Sequence, residues 1–324
     1  MRIAVTGSVA TDHLMTFSGR FEDSIVPEQL DKIAVSFLVD DLEVRRGGTA
    51  ANIAFGLATL GHRPLLVASV GKDFDVEYRG WLDAAGVDTS AVKVSETRHT
   101  ARFVCTTDTT MAQISSFYPG AMSEADAIDL AELGEFDLVL ISPDDPDAMV
   151  RHTASCRDRG VPFAADPSQQ LAFADGAMIR DLIDGATYLF SNEYESALIE
   201  KKTGWSSDEV RSRIGTQVTT RGKDGVSIYL PDGEVVEVGA IPGVAAVDPT
   251  GVGDSFRAGF LAGIAASLSV ERCAQVGCTI ASLVVETTGT QEYQLDRATF
   301  VARLGAAYGE DAAAEVDAAL ALPN

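Results

Sequence analysis

Short apolar runs rich in β-branched residues alternate along most of the chain with segments whose apolar residues have helical spacing. Residues 3–6 form such a run, and residues 50–60 have helical spacing. This alternation predicts a parallel sheet flanked by helices, an α/β core. The other predicted strands are 65–69, 138–141, 163–165, 188–191 and 217–219, the other predicted helices are 76–85, 146–157 and 193–201, and residues 309–322 predict a surface helix.

Two regions interrupt this alternation, and each predicts a β-hairpin. Residues 33–46 and 101–118 each contain two apolar runs separated by a short polar turn, at 40–41 and at 108–110. Polar residues between two such runs are typical of hairpin turns. Hairpins inserted into an α/β alternation predict a small separate sheet. Such a sheet would act as a lid over the core, or as a dimerisation element.

The composition limits the class of protein. With 324 residues, of which 46% are hydrophobic, the chain can bury one large core and a smaller appendage. A net charge of −23 disfavours nucleic-acid or membrane-surface partners, which are bound mainly through basic side chains. The four cysteines include no C-x-x-C pair and predict free thiols. Because we find no signal-peptide core and no apolar run of membrane-spanning length, we expect a cytoplasmic protein.

The segment DPTGVGD at residues 248–254 has the features of an anion site at the start of a helix. Gly251 and Gly253 allow backbone conformations that point successive N–H groups into one concavity, and the following residues have the composition of a buried helix. The helix dipole would reinforce that site. A carboxylate beside bound phosphate is unfavourable unless it accepts a proton, so Asp254 is a candidate general base. The alternative is that Asp254 only caps the helix.

A second glycine element, Gly47-Gly48 with Asn52, precedes the predicted helix 50–60. Paired glycines at a helix start allow the backbone to approach a ligand, and Asn52 could bind a hydroxyl group. Taken alone, the element is also typical of an ordinary turn and cap. Neither a G-x-x-x-x-G-K-[ST] loop nor a G-x-G-x-x-G loop after the first strand is present, which disfavours P-loop and Rossmann nucleotide binding.

Together, these two glycine elements resemble the two signatures of the ribokinase-like (PfkB) carbohydrate and nucleoside kinases. They occur in the expected order, and the resemblance covers nearly the whole chain. One difference is Val252, where most members carry Ala or Gly. The resemblance implies a ribokinase-like multi-layer α/β core with a small β-sheet lid. The core would comprise residues 1–12, 47–98 and 119–324, and the lid would comprise residues 13–46 and 99–118.

The resemblance also implies how ATP and metal ions are bound. Asn192 and Glu195 look like an N-x-x-E element, in which the carboxylate organises Mg²⁺ through water and the amide faces the nucleotide phosphates. Asp248 and Thr250 occupy the position that holds a monovalent cation in many members, and we expect K⁺ as the activating ion here. The implied contacts to ATP and its phosphates are Asn192, Thr220, Gly222, Gly251, Val252 and Gly253.

Within the family, the chain is similar to actinobacterial adenosine kinases in several segments around the implied acceptor site. Asp12 would receive the ribose hydroxyls. Phe103 and Phe117 have a physical reason to bind a base, because aromatic faces stack on a purine whereas a simple sugar has no flat π-surface. The alternative is that both are core residues of a hairpin. The implied acceptor contacts are Ser8, Asp12, Ser36, Gly48, Asn52, Phe103, Phe117, Gln169 and Gln170.

These expectations combine into ATP-dependent phosphorylation of the 5′-hydroxyl of adenosine, a purine-salvage reaction that gives AMP and ADP. One alternative is a sugar kinase acting on ribose, fructose or a phosphorylated sugar. A second alternative is a ligand sensor that kept the fold and lost catalysis, which the retained Asp254, Gly251 and Gly253 disfavour.

The predicted lid also implies a homodimer, because two hairpins leave exposed strand edges and more apolar side chains than one substrate can cover. Pairing with the same surface of a second subunit would bury the surplus in a two-fold contact. The alternative is a monomer whose lid folds onto its own core. The apolar lid residues on which this expectation rests are Phe37, Val39, Leu42, Val44, Val104 and Ile114.

Overall fold

The computed structural model of the chain describes residues 1–24 and 35–322. In chain order, the described strands are β1 (Ile3–Thr6), β2 (Ala10–Thr16), β3 (Asp41–Gly47), β4 (Leu65–Val67), β5 (Ser69–Val70), β6 (Lys93–Val94), β7 (Ala101–Thr107), β8 (Gln113–Tyr118), β9 (Leu138–Ile141), β10 (Phe163–Ala165), β11 (Tyr188–Asn192), β12 (Thr216–Thr220), β13 (Val226–Tyr229) and β14 (Val235–Val238). The described α-helices are α1 (Phe21–Ser24), α2 (Thr49–Thr59), α3 (Asp73–Glu77), α4 (Arg79–Ala85), α5 (Pro146–Arg159), α6 (Gln170–Phe173), α7 (Gly176–Ile183), α8 (Glu193–Thr203), α9 (Ser207–Arg213), α10 (Val252–Ala265), α11 (Val270–Val285), α12 (Arg297–Tyr308) and α13 (Glu310–Ala319).

The core is an eight-stranded sheet with the order β14-β13-β12-β11-β10-β9-β1-β4. Neighbours are parallel from β4 to β12, and β13 and β14 add an antiparallel edge. Alternate residues of each strand face opposite sides, so Ile3 and Val5 join one hydrophobic cluster and Ala4 joins another. Helices α2 and α10 to α13 cover the first face, and α5 and α7 to α9 cover the second. The predicted multi-layer α/β core is therefore confirmed.

Some core elements differ from the sequence-based prediction. The predicted strand 65–69 is divided into β4 and β5, and the predicted helix 76–85 is divided into α3 and α4 at Tyr78. The buried hydroxyl of Tyr78 donates a hydrogen bond to the Gly47 carbonyl, 3.0 Å away, which ties the break to the second glycine element. The tail forms α13, which buries Ala312, Ala313 and Val316 against the core and is therefore amphipathic.

A second sheet of four strands has the order β3-β2-β7-β8. The predicted hairpin at residues 101–118 is confirmed as the antiparallel pair β7 and β8. The hairpin predicted at 33–46 is wrong, because β3 pairs with β2 and residues 35–39 form no strand, while residues 33–34 lie outside the described residues. Phe37 instead packs against Phe17 and Phe21, with ring centroids 5.0 and 4.9 Å apart.

The cysteines agree with the expectation from composition. All four cysteines are buried, and none forms a disulfide, as predicted for free thiols. Among residues 1–24 and 35–322, no helix combines the length and the hydropathy needed to cross a membrane.

Candidate active site

A cavity of about 540 Å³ lies at the carboxyl ends of the central strands, beneath the four-stranded sheet. Ligands of open α/β sheets bind at this edge, and the volume is typical of a small-molecule site. The cavity brings together most of the residues predicted from the sequence. These are Ser8, Asp12, Gly48, Asn52, Phe103, Phe117, Gln169, Asn192, Glu195, Thr220, Asp248, Thr250, Gly251, Gly253 and Asp254.

Four predicted site residues do not line this cavity. Ser36 is exposed on the stretch before β3, and Gly222 is exposed in the turn after β12. The Gln170 side chain donates a hydrogen bond to the backbone oxygen of Asp144, 2.7 Å away. Val252 packs its side chain against the hydrophobic core in the first turn of α10.

The anion site predicted at residues 248–254 lies at the start of α10. Gly251 precedes the helix with φ +73°, a left-handed conformation that favours glycine. A Cβ atom at Gly251 would come within 2.8 Å of the Thr290 Cγ2 atom, so the position also lacks room for a side chain. The first-turn N–H groups of an α-helix have no intrahelical acceptors, and Gly251, Gly253 and Asp254 at this helix start line the cavity. This end of α10 is therefore suited to phosphate oxygens.

Asp254 lies in the first turn of α10, beside this anion site. The helix is capped by Gly251, so the alternative that Asp254 is only the cap is wrong. Its Oδ2 atom accepts a hydrogen bond from Asn52 Nδ2, 2.8 Å away. Burial raises the pKa of Asp254 to about 6, against the opposing effects of the Asn52 hydrogen bond and the Arg257 charge. A carboxylate with a pKa near neutrality is well suited to accept a proton.

A buried network orients the amide of Asn52 toward Asp254. Asn52 Oδ1 accepts hydrogen bonds from Thr290 Oγ1 at 2.9 Å and from Gln291 Nε2 at 2.8 Å. Gln291 is in turn held by Trp81, whose Nε1 donates to Gln291 Oε1 at 3.1 Å. Because Asn52 uses its oxygen for these two donors, its NH₂ group points to the carboxylate. Asn52 therefore positions Asp254 in addition to facing the cavity.

The four-stranded sheet contributes one row of side chains to the roof of the cavity. In the register of the sheet, Asp12 on β2 lies opposite Arg45 on β3 and opposite Phe103 on β7. Phe103 in turn lies opposite Phe117 on β8. Burial, reinforced by the Glu292 charge and opposed by Arg45, raises the pKa of Asp12 to about 6. Phe117 is 51% exposed, so it is not a hairpin core residue. A carboxylate and two aromatic rings thus face the same cavity.

The site offers oxygen ligands suited to hard cations. Glu195 Oε2 accepts the N–H of Asn192 at 2.8 Å, which leaves Oε1 for a water or an ion, and burial raises the pKa of Glu195. Among the described residues, no group of three His, Cys, Asp or Glu side chains could hold a metal by itself. A divalent ion here would therefore need phosphate and water oxygens as its other ligands, a coordination typical of Mg²⁺.

The Asp248 carboxylate connects two loops beside the anion site. Its Oδ1 atom accepts the N–H of Thr250 at 2.9 Å, and Oδ2 accepts the N–H of Gly289 at 3.0 Å. Partial burial raises the pKa of Asp248, but these hydrogen bonds outweigh burial, and the pKa lies below its ordinary value. Asp248 therefore keeps a negative charge next to Thr250, where the resemblance implies a monovalent cation.

Sequence reasoning missed several residues that line the cavity. Arg45 and Arg46 lie on β3, whose pairing was predicted incorrectly. Ser168 has φ +37°, a backbone feature without a sequence signal. Arg257 did have a signal, because it is the one charged residue in the otherwise apolar stretch 255–266.

A cavity beneath the four-stranded sheet, with a helix N-terminus suited to phosphate and an adjacent carboxylate whose pKa is near neutrality, has the features of a phosphotransferase site. The comparisons with known proteins agree. Residues 6–297 match the pfkB family carbohydrate kinases. The chain belongs to this family and is a kinase.

Relatives within the family include nucleoside kinases and ribokinases. The chain is 34% identical over 272 residues to a nucleoside kinase of Methanothermobacter thermautotrophicus, which covers 81% of this chain and 85% of the relative. It is 27% identical over 294 residues to a ribokinase of Bacillus subtilis, and the alignment covers 89% of this chain and 94% of that relative. The structure of a Burkholderia thailandensis nucleoside kinase in complex with inosine has a TM-score of 0.83 and 35% identity, covering 95% of this chain and 97% of that one. These likenesses confirm the ribokinase-like fold.

Proposed function

We propose that this kinase transfers the γ-phosphoryl group of ATP to the 5′-hydroxyl of a purine nucleoside, with adenosine as the leading acceptor. The observation that carries the proposal is the row formed by Asp12, Phe103 and Phe117 on the cavity face of the four-stranded sheet β3-β2-β7-β8, called the lid sheet from here on. It offers a carboxylate for ribose hydroxyls beside an aromatic surface for a base. The similarity to nucleoside kinases, one of them solved with inosine, supports the same acceptor class.

In this reaction, Asp12 and the backbone at Gly48 hold the ribose so that its 5′-hydroxyl lies next to Asp254. Asp254 accepts the hydroxyl proton while the oxygen attacks the γ-phosphorus. The new P–O bond forms as the bond to the β-phosphate oxygen breaks, and ADP leaves with that electron pair. The first-turn amides of α10 stabilise the charge on the phosphoryl oxygens, and the lid sheet excludes water that would compete as acceptor.

Two metal ions are part of the proposal. Glu195 would hold Mg²⁺ through water beside Asn192, where the ion, when bound, supplies positive charge to the phosphates. Asp248 and Thr250 would hold K⁺. The hydrogen bonds of Asp248 to both loops give that ion a fixed carboxylate beside the anion site.

An assay with adenosine and 5′-deoxyadenosine tests the proposed function directly. With ATP and Mg²⁺, adenosine should give equal amounts of AMP and ADP. The 5′-deoxy analogue should inhibit competitively without being phosphorylated, since it lacks the attacking oxygen. ADP release that does not depend on adenosine would contradict the proposal.

Phosphorylation of ribose is the second candidate, because the ribokinase relative aligns with most of the chain. A ribose kinase could use the same Asp12 and Asp254, but it would have no need of the aromatic surface. The two candidates therefore differ in the role of Phe103 and Phe117.

Replacing Phe103 or Phe117 with alanine should raise the KM for adenosine about 2- to 12-fold, equivalent to about 0.5–1.5 kcal/mol of stacking, and leave the KM for ATP unchanged. Steady-state kinetics with each substrate varied would measure this. Phe173→Ala is the matched control, since Phe173 is 86% exposed at the end of α6 and does not line the cavity. An increase in the KM for ATP instead would show that the aromatic surface binds the donor.

The value of kcat/KM should fall as the pH is lowered through about 6. Burial raises the pKa values of Asp12 and Asp254 to about 6, and both carboxylates are needed in the ionised form, which is present above that pH. Protonation of either group therefore removes activity, and the slope of log kcat/KM below pH 6 should lie between about 1 and 2. A pH profile that stays flat down to about pH 5 would contradict these assignments.

We also propose a homodimer formed through the outer face of the lid sheet. Leu42, Val44 and Ile114 alternate with the cavity-facing residues of β3 and β8, and they are 54%, 52% and 46% exposed. Light scattering at micromolar protein should give a dimer mass, and Val44→Glu should give a monomer. Val235→Glu, at an exposed position of β14 in the core sheet, is the control. A fully active wild-type monomer would contradict the proposal.

A further inference from the structure

Arg257 lies one turn after Asp254 in α10, and its side chain returns toward the start of the helix. Helical side chains tilt toward the N-terminus, which makes this path available. Arg257 Nη1 donates a hydrogen bond to the Gly253 carbonyl, 3.0 Å away. A Cβ atom at Gly253 would come within 2.9 Å of the same nitrogen. The guanidinium group therefore lies against the anion site.

Two residues of the loop after β10 hold this guanidinium in place. Arg257 Nε lies 2.6 Å from Asp166 Oδ2, and Nη2 donates to Asp166 Oδ1 at 2.7 Å. Nη2 also donates to Ser168 Oγ at 3.2 Å. Asp166 is 0% exposed and Arg257 is 5% exposed, so the pair is shielded from solvent. The Nη2 hydrogen bond and the close Nε–Oδ2 ion pair with the same carboxylate together hold the guanidinium in place.

The Nη1 atom of Arg257 has one N–H group left for a ligand. Nη1 carries two hydrogens, and Gly253 is its single acceptor among residues 1–24 and 35–322. Arg257 lines the cavity with Gly253 and Asp254. The other cavity arginines of the described chain lie on lid strand β3, where Arg45 pairs with Glu43 and Arg46 stacks on the Trp81 ring, 4.4 Å from its centroid. Arg257 is therefore the cation positioned at the anion end of the cavity.

The negative charges around this end of the cavity create a need for a cation that stabilises a phosphoryl group, and Arg257 can supply it. Asp254 and Glu195 border the same space, and their carboxylates repel an incoming phosphoryl group. Phosphoryl transfer spreads negative charge over three oxygens, which oriented donors in a water-excluded site stabilise. A guanidinium held rigidly by a buried carboxylate needs no rearrangement to donate its remaining N–H.

We propose that Arg257 is a catalytic residue that donates a hydrogen bond to the phosphoryl group during transfer, and that Asp166 is its positioning residue. Arg257 exchanges no proton, and the bonds formed and broken are those of the transfer to the acceptor hydroxyl. The inference rests on the proposed transfer from ATP, but it does not depend on which acceptor is used.

Arg257→Met is expected to lower kcat about 10²- to 10³-fold, the scale for loss of one transition-state donor. The KM values for ATP and acceptor should change by less than about threefold, since the contact is made during transfer. Arg257→Lys should remain well below the wild type, because an ammonium group cannot reproduce the two-point contact with Asp166.

A binding measurement separates this contact from a purely structural role. ADP, Mg²⁺ and acceptor should raise the melting temperature of wild type and Arg257→Met by the same amount. Aluminium fluoride, a mimic of the phosphoryl group in transfer, should give a further increase in the wild type that Arg257→Met loses. In a double-mutant cycle, adding Asp166→Asn to Arg257→Met should cause little further loss of kcat, because the two residues act together.

Arg272→Met is the matched control. Arg272 lies on α11, forms an ion pair with Glu315 at 2.8 Å and does not line the cavity. The kcat of this variant should therefore equal the wild-type value. A wild type that phosphorylates ribose and not adenosine would refute the proposed acceptor, and the Arg257 measurements would then be made with ribose. The inference is overturned if Arg257→Met keeps kcat within about threefold of wild type, or keeps the increase with aluminium fluoride.

Discussion

Replacing Asp254 with asparagine is expected to lower kcat about 10²- to 10⁴-fold while leaving the fold intact. Asparagine has nearly the same size, and its side-chain oxygen can still accept the 2.8 Å hydrogen bond from Asn52. It cannot accept the proton of the acceptor hydroxyl. The loss should therefore fall on kcat rather than on the KM for either substrate, and steady-state kinetics would measure it.

The control for this change is Asp175→Asn. Asp175 caps α7 by accepting the N–H of Met178, and asparagine is an equally good capping residue, so activity and stability should be unchanged. A correctly folded Asp254→Asn variant with near-normal turnover would refute the role of Asp254 as the general base. Circular dichroism and thermal melting of both variants would establish that the fold is retained.

Gly48→Ala is expected to destabilise the protein by at least about 1–3 kcal/mol and to abolish most of its activity. Gly48 precedes α2 with φ +95° and ψ 128°, a backbone conformation that residues with a side chain rarely adopt. A Cβ atom there would come within 2.6 Å of the Ala10 nitrogen, the Ser8 oxygen and the Val9 Cα atom. These are backbone atoms, so relief of the clash requires the β1–β2 connection to move, together with the roof of the cavity.

Gly80→Ala provides the comparison within the same protein. Gly80 lies inside α4, and a Cβ atom there would have no neighbour within 4 Å. Alanine should therefore be neutral or stabilising by about 0.5–1 kcal/mol. Denaturant unfolding of both variants would measure the difference, and equal stability of Gly48→Ala and the wild type would contradict the role given to Gly48.

The sequence predicted the six parallel strands of the core sheet because most of them are short apolar runs buried on both faces, but it missed the antiparallel edge strands β13 and β14. Strand β2 was missed because polar residues interrupt its apolar pattern on both faces, Asp12 on the face that lines the cavity and Thr11 and His13 on the opposite face. The pairing of β3 with β2 brings together residues separated by a long connection, which local patterns cannot show. The glycine elements located the anion site because their backbone conformations restrict the residue type.

Sequence patterns could not predict the side-chain networks of the site. Arg257 and Asp166 are 91 positions apart, and Asn52 and Gln291 are 239 positions apart. Neither pair has a fixed spacing that a motif could encode. The two residues of each pair come into contact only when the strands, helices and loops that carry them are packed together in the folded structure.

Comparison of kcat/KM for adenosine, inosine, ribose and fructose, with ATP as donor, is the most direct measurement. The aromatic surface of Phe103 and Phe117 beside Asp12 predicts that a purine nucleoside is preferred over both sugars. Phosphorus NMR of the product should show the phosphate on the 5′-oxygen. Preference for ribose or fructose over every nucleoside would contradict nucleoside kinase activity and assign the chain to the sugar kinases of its family.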